Sequence, residues 1–312
     1  MIFIKLQNHI KFIGPYDKGI VNIYGISQDL NTKEYALVMR YAAKGDFKKY
    51  LKSNYTGWND KIKKLYNIIS GLNTLHQEKL IHSDFHSGNI LYFSYLSETM
   101  IADLGLSGPA DQETSSKNDI FGVLPYIAPE VLNKKPYTQK SDIYSFGILM
   151  SETSTHQQPF KDQPHDIDLA FKICSGLRPS FSDNTPECYI KLAYRCTDAD
   201  PEKRPTADEI LKIITFWKDA IESNISSYSE KQLDELEETR KIFEEANKKP
   251  FNPSTIMATV HPNAVYTSRL LNFTNLPQPV NSNKVTIISN NNGNYLIYCY
   301  TFNLNYLLLM IF

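Results

Sequence analysis

Three short strings in fixed order constrain this chain most: His82-Ser83-Asp84-Phe85-His86-Ser87-Gly88-Asn89, then Asp103-Leu104-Gly105, then Ala128-Pro129-Glu130. An aspartate is followed five residues later by an asparagine, and a second Asp-x-Gly begins fourteen residues after that amide. The layout supplies one carboxylate to accept a hydroxyl proton, and an amide with a second carboxylate to hold Mg²⁺, as phosphoryl transfer requires.

Around these strings the periodicity changes character. Ile20-Val21-Asn22-Ile23-Tyr24-Gly25-Ile26 and Tyr35-Ala36-Leu37-Val38-Met39 are rich in β-branched and aromatic residues, with turn chemistry at Asp29-Leu30-Asn31-Thr32. From Trp58, the apolar positions Ile62, Leu65, Ile68, Ile69, Leu72 and Leu75 fall on one helical face. Short strands are expected at 90–93 and 99–102, and a mobile loop over 107–122. Further helices are expected at 141–153, 165–175, 186–196 and 206–223, the last behind a Thr206–Glu209 capping box. Ser229 caps another, rich in Glu and Lys, running to about residue 249, with Leu233, Leu236 and Phe243 on one side. Its charge suggests a solvated helix packed weakly on the domain. Residues 250–283, rich in proline and asparagine, read as a tail without a core of its own.

Composition narrows the partners. With 33 basic and 34 acidic residues the net charge is −1, so nothing favours a nucleic acid. The four cysteines form no C-x-x-C pair, which suggests reduced thiols and an intracellular, cytoplasmic setting. No charged residue follows Lys284, and 295–312 is nearly all apolar, approaching the length of a membrane span. Asn303 and Asn305 interrupt it and no basic cluster flanks it, so a membrane anchor is disfavoured.

Together with Asp142-Ile143-Tyr144-Ser145-Phe146-Gly147 and Asp200-Pro201-Glu202-Lys203-Arg204-Pro205, the three strings resemble the eukaryotic protein kinase superfamily over about residues 20–220. The resemblance implies an α+β, protein-kinase-like fold, with a mostly α-helical C-lobe and an incomplete β-rich N-lobe. It divides the chain into a partial N-lobe (1–42), a C-lobe (43–222), a charged helix (223–250) and a low-order tail with an apolar C-terminus (251–312). ATP and Mg²⁺ are the implied cofactors and a protein the implied substrate; the sequence gives no oligomeric state.

On that resemblance Asp84 is the catalytic base, and Asn89 and Asp103 are the Mg²⁺ ligands. His86 stands where serine/threonine members carry a phosphate-contacting Lys. Met39 is the gatekeeper, Arg40-Tyr41-Ala42 the adenine hinge, Leu91 the floor under the base, and Asp46 reaches the ribose. Glu130 and Arg204 match a buried ion pair, and Asp142 the brace of the catalytic loop. His82 and His86, four apart, suggest zinc only on a helix; a loop is expected here, with His82 packed beneath Leu104. Pro125-Tyr126-Ile127 is similar to the serine/threonine type, and Cys196-Thr197-Asp198-Ala199-Asp200-Pro201 to the tyrosine-kinase-like group. Val123, standing where serine/threonine kinases keep a Thr, leaves the hydroxyl preference open.

The pattern also breaks. None of the 13 glycines forms a G-x-G-x-x-G loop. Ile2-Phe3-Ile4-Lys5 lies too near Val21 to be the family's Lys strand, and no Glu precedes Glu34. Residues 1–14 therefore read as the remnant of an N-lobe helix, and the chain as beginning partway through a kinase domain. Ser83 replaces the usual Arg, removing the acceptor for a phosphate on Thr114, Ser115 or Ser116. Two functions stay open: a protein kinase acting on Ser/Thr hydroxyls, and a catalytically dead pseudokinase or scaffold lobe.

Overall fold

β-Branched and aromatic residues before the first acidic string form the expected hairpin: β1 (Ile23–Gln28) pairs antiparallel with β2 (Tyr35–Met39). The turn between them is closed by Asp29, whose Oδ1 accepts the N–H groups of Asn31 and Thr32 at 2.7 and 3.0 Å. The computed structural model describes residues 8–12, 19–53, 56–93, 98–105, 107–109, 120–224, 226, 228–249 and 259–282. Of the N-terminal stretch expected to be helical, residues 8–10 are helical and Phe12 is buried in the main core. The Ile2-Phe3-Ile4-Lys5 string, Thr114, Ser115, Ser116 and the apolar C-terminus lie outside the described residues.

Two elements then lead to the loop that carries the first acidic string. Helix α1 (Phe47–Ser53), which the periodicity did not reveal, starts where Asp46 Oδ1 accepts the Lys49 N–H at 2.7 Å. Helix α2 (Trp58–Gln77) carries the expected apolar face, with Ile62, Leu65, Ile68, Ile69, Leu72 and Leu75 all fully buried. Gly19, at φ +74°, crosses this helix at Gly71, where an added methyl would sit 2.5 Å from the Gly19 carbonyl oxygen. Only glycine permits so close a passage. It lets residues 19–21 bond to Ile101, the Val21 N–H reaching the Ile101 carbonyl at 2.8 Å.

Strand β3 (Leu80–Ile81) precedes the loop, and β4 (Ile90–Phe93) and β5 (Glu98–Ile101) form a hairpin behind it. The expected loop at 107–122 is bounded by two short strands: β6 (Gly108–Pro109) pairs with β3, and β7 (Ile120–Gly122) pairs elsewhere. Residues 110–119 between them lie outside the described residues.

The remainder is helical: α3 (Pro129–Leu132), α4 (Gln139–Thr155), α5 (Ile167–Cys174), α6 (Glu187–Cys196), α7 (Ala207–Glu222) and α8 (Glu230–Lys248). Both expected capping boxes form, Thr206 with Glu209 and Ser229 with Gln232. Helix α8 is bound more firmly than its charge suggests. Phe243 is fully buried between Trp58 and Trp217, at ring distances of 6.1 and 5.7 Å. Asn247 Oδ1 accepts the Trp58 N–H at 2.7 Å, so the last turn of α8 caps the first turn of α2.

Part of the stretch expected to be a low-order tail is ordered against the lobe. Strand β8 (Arg269–Leu271) pairs antiparallel with β7, and Leu271 is buried in the apolar cluster of Ile120, Val123, Leu124 and Ile148. The segment borrows its core from the lobe, which is why its own composition shows none. No helix among the described residues is long and apolar enough to cross a membrane.

Candidate active site

The loop between β3 and β4 is held from below by one carboxylate. Asp142, buried on α4, accepts the His82 N–H at 2.8 Å and the His76 imidazole at 3.0 Å on Oδ2, and the Ser83 N–H at 3.0 Å on Oδ1. Ser83 sits at φ +69°, a conformation that costs a non-glycine residue energy, and these bonds hold it there. His82 is fully buried, with Nε2 on the Ala102 carbonyl at 3.1 Å and Nδ1 accepting the Asp84 N–H at 3.3 Å. Burial keeps its imidazole below the usual pKa, in the neutral form.

Asp84 and Asn89 meet directly. The Asn89 Nδ2 group donates to the Asp84 carbonyl at 2.9 Å and to its Oδ2 at 3.1 Å. With its nitrogen so engaged, Asn89 has its carbonyl oxygen as the donor atom for a cation. The Ala102 N–H bonds the Asn89 backbone carbonyl at 2.8 Å, which brings the residue before Asp103 beside Asn89. Asp103 is exposed at φ +56°, its Oδ1 accepting the Gly105 N–H at 3.2 Å.

His86 faces the same carboxylate. Its Nδ1 accepts the Gly88 N–H at 3.1 Å, so the proton resides on Nε2, 3.5 Å from Asp84 Oδ1. Burial pushes the Asp84 pKa upward, but the hydrogen bonds from His86 and Ser268 help to outweigh it and leave the carboxyl below its ordinary value. Asp84 is therefore ionised at neutral pH and able to accept a proton. Its Oδ2 also accepts the hydroxyl of Ser268 at 2.5 Å, across 184 residues of sequence.

The segment after β7 is fixed by two buried acids. Glu130 and Arg204 form a bidentate pair, both contacts 2.7 Å, with both side chains out of water. Glu152 on α4 accepts the Tyr126 hydroxyl at 2.6 Å and the Ser87 hydroxyl at 2.9 Å, tying this segment to the loop that carries Asp84. Burial pushes the Glu152 pKa up to about 7 against those two hydrogen bonds.

On the other side of the loop, Met39, Ala42 and Leu91 pack around Val21, Phe93, Met100 and Ala102 in one apolar cluster. The Arg40 guanidinium lies over the Phe93 ring at 4.5 Å, and the Arg40 N–H bonds the Asn22 carbonyl at 3.1 Å. Tyr41 is exposed. Asp46 serves as the start of α1 and bridges to Leu91 through the backbone.

The sequence reading missed Glu152, Ser87 and Ser268. Glu152 and Ser87 left no mark because each looks like an ordinary polar residue of a helix or loop. Ser268 lies in Thr267-Ser268-Arg269-Leu270-Leu271, where only the apolar residues after the serine hint at a docked strand.

Comparison with known proteins supports the same identification. A family model described as the protein kinase domain matches residues 6–215. Probable serine/threonine-protein kinase roco8 of Dictyostelium discoideum is 34% identical over 200 residues, 60% of this chain and 11% of that protein. Receptor-interacting serine/threonine-protein kinase 4 of Mus musculus is 31% identical over 207 residues, 61% of this chain and 25% of the relative. Serine/threonine-protein kinase Nek9 of Xenopus laevis is 32% identical over 208 residues, 66% of this chain and 20% of the relative. The chain thus spans a quarter or less of each of these relatives. The family model matches more than half of the chain and includes the braced aspartate bonded to an asparagine: the chain belongs to the protein kinase domain family.

Proposed function

We propose that this site transfers the γ-phosphate of ATP to a serine or threonine hydroxyl of a protein, in intracellular signalling. The observation that carries the reading is Asp84 itself, ionised, bonded to Asn89, and accepting a serine hydroxyl at 2.5 Å. In the reaction Asp84 orients the acceptor hydroxyl and takes its proton, a role worth roughly 10²–10⁴ in rate. His86 donates from Nε2 toward the same hydroxyl, 3.4 Å away.

The residues present fit the nucleotide and cation in part. The apolar cluster of Met39, Ala42 and Leu91 suits an adenine ring, with the Arg40, Tyr41 and Ala42 backbone along its edge and Asp46 toward the ribose. Asn89 and Asp103 offer the hard oxygen donors Mg²⁺ takes. When bound, Mg²⁺–ATP supplies the transferable phosphoryl group and neutralises charge on its oxygens. The names of the relatives favour Ser/Thr acceptors, and 196–201 aligns the chain with the tyrosine-kinase-like group.

His86, standing where serine/threonine members carry a phosphate-contacting Lys, favours a second reading, a lobe that docks partners without turnover. Incubating the full chain with Mg²⁺–ATP and mixed Ser, Thr and Tyr acceptor peptides separates the two. Phosphate on Ser or Thr peptides, abolished by Asp84→Asn, supports the kinase. No transfer and no thermal shift with Mg²⁺–ATP supports the docking lobe.

A further inference from the structure

Ser268 is not an isolated contact on Asp84. Its hydroxyl lies between Asp84 Oδ2 and His86 Nε2, at 2.5 and 3.4 Å, where an acceptor hydroxyl has to lie. The three residues that follow add a strand to β7, with Gly122 opposite Arg269, Phe121 opposite Leu270, and Ile120 opposite Leu271. Strand addition with alternate side chains in pockets is a standard mode of peptide binding. Here the pockets are occupied on both sides of the serine. Two residues before it, Tyr266 bonds the Pro159 carbonyl at 2.8 Å and meets the His165 ring edge-on at 4.7 Å. Three residues after it, Leu271 is 4% exposed. Arg269 donates to the His165 carbonyl at 2.6 Å. Both ends of the segment are tied down, the His261 N–H to the Lys161 carbonyl and the Val280 N–H to the Cys174 carbonyl.

We propose that residues 259–282 are an acceptor peptide bound in cis, and that Ser268 is the hydroxyl this chain phosphorylates on itself. The inference rests on the phosphotransfer reading above and names its acceptor. Ser268 Oγ attacks the γ-phosphorus of Mg²⁺–ATP while its proton passes to Asp84. The new Oγ–P bond forms as the bond to the β,γ-bridging oxygen breaks, and ADP leaves. Asp84 then releases the proton to solvent, and the product phosphoserine carries a charge of about −1.5 to −2 against the restored carboxylate, so like-charge repulsion expels the segment and opens the groove. The same register gives the acceptors the groove prefers in trans: an aromatic residue two before the hydroxyl and an aliphatic one three after it.

Hydrogen exchange on the full chain without nucleotide tests the docking apart from any chemistry. Slow exchange in both 120–122 and 269–271 is expected; free exchange in both overturns the proposal. Mass spectrometry after incubation with Mg²⁺–ATP and an added acceptor protein then tests the transfer. Phosphate at Ser268, at a rate per chain unchanged by dilution, is expected. Phosphate on the added protein but not on Ser268 overturns the inference and leaves the kinase reading standing. A Ser268 rate falling in proportion to dilution overturns the cis arrangement, and phosphate on neither overturns kinase and acceptor together. Leu271→Asp should lower Ser268 phosphorylation about tenfold or more by removing the high local concentration of the tethered strand, and raise transfer to the added protein. If that variant also loses protection in α7, Tyr266→Ala replaces it with the same directions; Ser268 phosphorylation unchanged in the variant that folds overturns the proposal.

Discussion

The loop that carries Asp84 and the β1–β2 hairpin are held in opposite ways. In the loop, buried polar groups answer one another: Asp142 takes three donors, Glu152 two, and Glu130 a bidentate arginine. In the hairpin, Tyr24, Leu30 and Val38 are exposed, and the sheet is two strands wide among the described residues. A two-stranded sheet has little stability of its own. The Asp84 loop is thus held by buried polar bonds, while the hairpin is anchored through Val21, Met39 and the Gly19–Gly71 crossing.

Mutation can break this contrast, and the largest effects belong on the loop side. Asp84→Asn should lower phosphotransfer by roughly 10²–10⁴ with the thermal midpoint nearly unchanged, read by kinase assay beside a melt. A matching fall in stability would mean that Asp84 is a structural group. Glu130→Ala should cost about 3–5 kcal/mol in urea unfolding, because Arg204 is left buried without its partner. A loss below about 1 kcal/mol would place that pair with surface ion pairs.

Glu152 sharpens the comparison through pH. Its pKa is raised from 4.5 to about 7, so its contribution is fully present below pH 4.5 and is lost as pH rises through 7. From this group alone the folded state should weaken by about 3 kcal/mol across that window. Glu152→Gln should flatten that slope, gaining on the wild type above pH 7; parallel stability curves at pH 4.5 and 8 would contradict it. The smallest effect is expected on the hairpin, where Val38→Thr should change stability by less than about 0.5 kcal/mol. A loss of more than about 1 kcal/mol there would show that the hairpin is held as firmly as the loop.

How much of this was legible follows the same division. The meeting of Asp84 and Asn89 could be anticipated because acid and amide five residues apart carry chemistry in the residue types themselves. The long helices could be read from their apolar period, and two from capping boxes. Helix α1 could not, since seven residues with three apolar positions barely complete one face. The firm seat of α8 was hidden because Phe243 meets Trp58 and Trp217 only after the chain folds back. The docking of 259–282 was hidden for the same reason: Ser268 and Asp84 are 184 residues apart, and a strand that borrows its partner's core shows no pattern of its own.

The contact between Asn247 and Trp58 sets a timetable for the nascent polypeptide. The two residues are 189 apart, so at about 5–20 residues per second a ribosome takes roughly 10–40 s to travel between them. Throughout that interval the indole of Trp58 lacks Phe243, and its amide lacks Asn247. Helix α2 is thus finished by α8, and a stall between them would leave an aromatic surface waiting for its cover.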